Sequence, residues 1–459
     1  KPIQKVLVYA EKAYAELDFR EAIKHYEEAA RLNSSKKIFI KLADCYQKIH
    51  QPEKAIEQFE KAMKTDELSK EESMTYGEAL IDAGRYEEAH LVLKDYKNES
   101  YWVEKKVSGI ADLESFFQYK DAYEVNPVPF NTEASEFSPT FHGGGLVIVA
   151  SRSNNNPLSP KYNWDNSSYL DLFQVKDEAH VEKMHKSLNS QFHEGPAVFY
   201  ESDQKIIFTR NQFEGYNSRI PGEQVNHLKL FYSEKKSNGK WKSPKMLPFN
   251  IEGYSFGHPA INEDGSELYF ASNMEGGMGG TDLYKVTFDG ENWSKPELLR
   301  KGINTEKDEL FPTYHKGSLY FASEGLEGLG GLDIFKIDLE NENSEPANLG
   351  SPINTKGDDF GMVWSETDKK GYFSSNREGG TGKDDIYEFS LFEHEVQVKL
   401  IDQEGKKPLN GDIQILEMPT QDLISKVENV SEQRVDVIRG SKLNIMGSAD
   451  GYESADLFF

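Results

Sequence analysis

Gly253-Tyr254-Ser255-Phe256-Gly257 has the spacing of a serine-hydrolase nucleophile elbow, where a glycine-flanked serine sits on a sharp strand-to-helix turn. The pentapeptide, however, falls inside a longer repeat, aligned with Glu136-Phe137-Ser138-Pro139 and Glu309-Leu310-Phe311-Pro312. Ser255 is therefore read as structural. The glycine clusters at 276–280 and 328–331 suggest phosphate cradles, yet they recur with the same long period and read as turns between strands. Gly380-Thr381-Gly382-Lys383 lacks the first glycine of a P-loop and the hydroxyl residue after its lysine. No H-E-x-x-H pair and no EF-hand ligand run is present, and His193, His258 and His315 read as structural residues ahead of strands. Cys45 is the only cysteine, which excludes an internal disulfide and a cysteine-based metal site. No catalytic residue, metal site or cofactor is expected.

The elements that carry these residues come in two kinds. Residues 1–120 have apolar and small residues at spacings of three and four, the mark of helices. Ala22, Ala55 and Ala89 recur within similar sequences, and Ala10, Ala43 and Gly77 stand twelve positions before them. From about residue 126 the period changes to two, with Gly, Asn and Asp clusters between apolar stretches. Five copies of a segment of about 50 residues follow, the size of a four-stranded propeller blade. They are anchored at Asp171, Lys229, Asp282, Asp333 and Asp385. An Asn precedes each copy: Asn131, Asn189, Asn250, Asn304 and Asn354. The Gly pairs are expected to supply positive φ, and Asp171, Asp282, Asp333 and Asp385 to accept backbone N–H groups in structural turns. After Phe392 these marks stop, and short alternating stretches begin with Val396-Gln397-Val398-Lys399-Leu400.

The helical pattern resembles the tetratricopeptide repeat, with a capping helix from Tyr101 to Phe117. The C-terminal stretch resembles a carboxypeptidase regulatory-like module. The fold class is thus multidomain α and β: an α-helical tetratricopeptide solenoid over 1–120, a five-bladed β-propeller over 126–392 with six blades as the alternative, and a small β-sandwich over 393–459. The break between helices and strands predicts early proteolysis near Asn126-Pro127. In the tetratricopeptide family the groove is lined from the first helix of each repeat, which here selects Glu11, Tyr14, Asp44, Gln47, Glu78 and Asp82 as a partner-binding surface. Four of the six are acidic, so a basic peptide or a partner loop is the expected ligand.

The chain of 459 residues carries 53 basic and 78 acidic side chains, a net charge of −25. Such a surface repels phosphate backbones and argues against nucleic acid as a partner. No apolar run reaches the length of a membrane-spanning helix. The order of modules resembles the OmpA-family periplasmic proteins of Bacteroidetes associated with type IX secretion. That resemblance implies a non-enzymatic periplasmic scaffold, tied to the outer membrane by an N-terminal lipid anchor and partnered with an outer-membrane barrel protein. It also implies peptidoglycan binding through an OmpA-like domain; both anchor and domain would flank these 459 residues. The alternative is a carbohydrate or peptide sensor that uses the propeller face.

Overall fold

The computed structural model describes residues 3–152, 162, 164, 167–178, 180–211, 226–300, 302–418 and 422–459; the first two residues of the expected helical domain lie outside this set. Helices α1 (Ile3–Ala15) and α2 (Phe19–Leu32), α3 (Lys36–Lys48) and α4 (Pro52–Met63), and α5 (Lys70–Asp82) and α6 (Tyr86–Leu93) form three packed pairs. The alanines of the repeat explain how closely the pairs approach: Ala10, Ala22, Ala43, Ala55 and Ala89 are all fully buried. At the corresponding Gly77 a Cβ would lie 2.5 Å from Leu93, so the third pair has no room even for alanine. Local signals set the helix ends. Asp18 accepts the N–H of Glu21, Ser69 and Glu72 form a reciprocal cap, and Pro52 occupies the first turn of α4, where its missing N–H costs nothing. Helix α7 (Tyr101–Ala111) and a 3-10 turn (Leu113–Phe117) complete the layer.

The β-region begins with β1 (Tyr123–Pro127). A first sheet follows, built from β2 (Glu136–His142), β3 (Gly145–Ala150), β4 (Asp171–Asp177) and β5 (His180–Lys183). The second holds β6 (Glu194–Tyr200), β7 (Lys205–Asn211), β8 (Leu228–Glu234) and β9 (Lys245–Met246). The third holds β10 (Phe256–Ile261), β11 (Glu267–Ser272), β12 (Asp282–Thr287) and β13 (Glu297–Leu298). The fourth holds β14 (Glu309–His315), β15 (Ser318–Ser323), β16 (Asp333–Asp338) and β17 (Ala347–Asn348). The fifth contains β18 (Asp359–Trp364), β19 (Lys370–Ser375) and β20 (Asp385–Leu391). Its outer strand is β1, paired from Tyr123 opposite Leu391 to Pro127 opposite Tyr387.

The first strands of successive sheets are neighbours, and β18 of the fifth is a neighbour of β2 of the first, so the sheets form a closed propeller-like ring. Each sheet is covered on both faces, which is why β3, β11 and β15 read as apolar runs rather than alternating strands. Phe208, Phe270, Phe321 and Phe373, on the second strands, are buried to 1% or less. The expected boundary at residue 126 falls inside β1. Asn126-Pro127, expected as an early cleavage point, is instead a strand that fastens the ring.

Beyond the ring, β21 (Glu393–Lys399) pairs with β24 (Glu432–Ile438), while β22 (Gly411–Met418), β23 (Asp422–Val430), β25 (Lys442–Ser448) and β26 (Ala455–Phe458) form a second sheet. Ile413, Ile415, Val437, Leu443 and Ile445 make a core shared by the two sheets. Glu417 holds this unit to the segment after the helices by accepting from Tyr119 at 3.0 Å, and it accepts from Ser441 of the unit itself at 2.7 Å.

Candidate interaction surface

The five asparagines of the repeat have one shared task. Each side chain bonds both the N–H and the C=O of a single residue in the third strand of the preceding sheet: Asn131 with Ile386, Asn189 with Leu172, Asn250 with Leu230, Asn304 with Leu283 and Asn354 with Ile334. A carboxylate then anchors the turn that follows, at Glu136, Glu194, Glu309 and Asp359, all fully buried. Three of these four are paired with Arg152, Arg210 and Arg377 at 2.7 to 2.9 Å. Glu309 has no arginine; it accepts from Thr305 and Ser323, and burial pushes it up to about 8. The aligned segments alone give these acids no role, although in three of the four an Arg follows the acid by 16 or 18 positions.

Asp282 accepts the N–H groups of Met278 and Gly279, Asp333 those of Leu329 and Gly330, and Asp385 those of Thr381 and Gly382. Asp171 differs and pairs with Lys183 at 2.6 Å. In the second copy Lys229 replaces the aspartate and donates to the carbonyls of Ile251 and Tyr254. The Gly pairs divide the expected work: Gly276 of Gly276-Gly277 and Gly379 of Gly379-Gly380 supply positive φ, whereas Gly279 and Gly330 are needed for close approach. A Cβ there would sit 2.4 Å from the Thr305 carbonyl oxygen and 2.2 Å from that of Lys356.

Ser255 lies ahead of β10 with no helix after it. Its hydroxyl accepts the N–H of Leu228 and lies 3.4 Å from Nδ1 of His227. The three histidines do not share one position: His193 Nδ1 accepts the Leu170 N–H, His258 stacks on Phe311 with its pKa lowered to about 3 by burial, and His315 pairs with Asp368. Around the ring axis Ser138, His258, Phe311 and Gly361 take positive φ in bulges and line a cavity of about 70 Å³ with Thr140, Thr313 and Tyr314. That volume is suited to water.

The six groove positions separate into two sets. Glu78 and Asp82 face the ring. Lys307 donates to Glu78 at 2.6 Å while stacking over Trp102, and Glu306 accepts the N–H groups of Tyr101 and Trp102 at the start of α7. Tyr86 and Lys106 donate to the carbonyls of Leu329 and Gly330, and His50 pairs with Asp358 at 2.9 Å. In this cleft burial, with Glu78 and Asp358 nearby, pushes Asp82 up to about 8; Glu324 is pushed to about 8 by burial and Asp308. The other set lies on α1 and α3. Tyr14 donates to Asp44 at 2.6 Å beneath Lys41, Gln47 is half-buried, and Glu11 is exposed. The expected capping helix thus joins two domains, and the groove for an external ligand is shorter than six positions.

Residues 15–96 match the family model described as anaphase-promoting complex, cyclosome, subunit 3, in agreement with tetratricopeptide-like repeats in the helical layer. No curated protein matches the chain. Among solved structures it is similar to the exo-β-1,3-galactanase 1,3Gal43A from Clostridium thermocellum, at 14% identity and a TM-score of 0.36, over 73% of this chain and 81% of that one. It is similar to GH43B of the Bacteroides ovatus xyloglucan locus at 12% identity and 0.37, over 73% and 85%. A third is an α-L-arabinofuranosidase from Lactobacillus brevis at 9% and 0.35, over 60% and 92%. These are enzymes, which corrects the expectation of a non-enzymatic protein: that exclusion does not hold. Likeness at this level decides neither substrate nor reaction.

Proposed function

We propose that the chain is a periplasmic interaction scaffold that links an outer-membrane complex to the cell wall. On this reading the five sheets are the blades of a five-bladed β-propeller and the terminal pair of sheets is a carboxypeptidase regulatory-like sandwich. The whole is similar to PorE-like, OmpA-family proteins of type IX secretion. The observation that carries the reading is the joining of helical repeats to the ring through Glu78 and Lys307 and through Trp164, which packs on Phe19 and donates to the Lys48 carbonyl, while a cavity between α1 and the start of α3 stays open. A built junction of this kind holds an interaction surface at a fixed place relative to the ring and the sandwich.

Two further points support it. An acidic body of net charge −25 stays off anionic membrane surfaces, so attachment falls to a lipid anchor or a protein partner. No helix among the described residues is long and apolar enough to cross a membrane. The partner proposed is an outer-membrane barrel of the type IX family, with peptidoglycan bound through an OmpA-like domain. Fractionation of cells expressing the natural full-length protein tests this. Recovery with the outer membrane, together with a barrel protein after crosslinking, is expected; recovery in the cytoplasm, or with neither barrel nor peptidoglycan, would end the proposal.

A further inference from the structure

A cavity of about 400 Å³ opens between α1, the turn after α2, and α3. Its floor is apolar: Leu7, Val8 and Ile38 line it, and Val8 is 66% exposed. On one wall Lys37 and Lys41 stand one turn apart on α3, and neither has an ion-pair partner among the described residues. Lys41 lies 3.9 Å from the centre of the Tyr14 ring, which holds its ammonium at the mouth. Into the same space faces Tyr26, 1% exposed, with the Glu11 carboxylate beside its hydroxyl.

We propose that this cavity binds a protein segment carrying one large apolar residue flanked by acidic residues. The inference deepens the scaffold reading, on which it rests, and reverses the charge expected of the ligand. The acidic positions that argued for a basic peptide are already engaged: Asp44 by Tyr14, Glu78 by Lys307, and Asp82 inside the cleft. What remains accessible is an apolar floor edged by two cations, with Glu11 as the single carboxylate of the lining. The net charge of −25 acts against an acidic ligand at long range, but screening over about 8 Å at physiological ionic strength leaves the local lysines to decide.

Selection of a displayed library of random dodecapeptides on the intact chain tests the inference, followed by fluorescence anisotropy with the enriched peptides. Expected are peptides with Asp or Glu beside Leu, Ile, Met or Phe, bound more weakly as salt rises. The double variant Lys37→Glu/Lys41→Glu should lose about tenfold in affinity. Val8→Asp, on an exposed position, should lose as much as the lysine variant while its circular-dichroism melt matches that of the parent. Enrichment of basic peptides, binding undiminished in the lysine and Val8 variants, or no enrichment would overturn the proposal. A barrel protein that still co-purifies with Lys37→Glu/Lys41→Glu would leave the scaffold reading standing while removing this cavity from it.

Discussion

The ammonium of Lys307, in the turn before β14, lies 2.6 Å from the carboxylate of Glu78 on α5, two groups 229 positions apart in the chain. Both side chains are about four-fifths covered, and burial alone would lower the lysine's pKa, yet Glu78 raises it. The pair therefore acts as a clasp between the helical layer and the ring.

Replacing Lys307 with Met should loosen the helical layer on the ring. The expected cost to docking is about 1–3 kcal/mol, because Glu78 is left without its partner. Hydrogen exchange at the amides of Tyr101 and Trp102, which bond Glu306, should quicken in this variant while exchange in β11 and β15 stays slow. Unchanged exchange at those two amides would show that the clasp carries no load.

Docking should weaken as pH rises. Asp82 and Glu324, both pushed up to about 8, hold protons in the docked state that they would release in water, so their contribution is full below the ordinary carboxylate range and lost as pH rises through about 8. His50 acts in the same direction: Asp358 raises it to about 9, and the attraction disappears above that value. Exchange at Trp102 measured from pH 5.5 to 9, corrected for intrinsic rates, should show the loosening. Asp82→Asn should flatten the profile.

Asn354 bonds both main-chain groups of Ile334 at 2.8 and 2.9 Å and is fully buried. Asn354→Ala should lower stability by about 2–4 kcal/mol, since it strands a buried donor and a buried acceptor. Asn354→Asp keeps the acceptor but loses the donor and adds charge, and it should not rescue. Urea midpoints of the two variants give the answer; a loss under about 0.5 kcal/mol would mean that the clasp is redundant with the rest of the turn.

Two glycines of the repeat should fail differently on substitution by alanine. At Gly330 the new methyl would meet the Lys356 carbonyl at 2.2 Å, so neighbouring sheets must separate; the exposed turn at Gly276 has open space and only its φ of +96° to strain. Gly276→Ala should cost about 1 kcal/mol, and Gly330→Ala more than twice that with loss of the Lys106 contact. Thermal melts that rank the two in the opposite order would contradict the close-approach explanation.

The repeat units were legible because each is local: alanines twelve and about 33 positions apart, and an Asn, a Gly pair and an Asp in fixed order, report backbone demands met within one unit and its neighbour. The asparagine mark is visible, but its bonds to the preceding sheet are not, and the role of the acid that follows it stays hidden because the arginine met by Glu136, Glu194 and Asp359 lies 16 or 18 positions away. The start of the ring was misplaced by three residues since Tyr123 and Val125 alone make too short an alternation; their strand exists only by pairing with β20, more than 250 residues later. In the same way, Glu78 and Asp82 were placed on the correct face of their helix, yet what covers that face comes from residues 306–358. The sequence by itself determined the modules, their order and the faces of the helices, all set by periodicity and steric need over short spans. Only the tertiary structure decided that the ring closes through β1, that part of the groove is filled from within, and that the open part is edged by Lys37 and Lys41, because charge pairing across domains depends on which loops the closed ring brings beneath the helices.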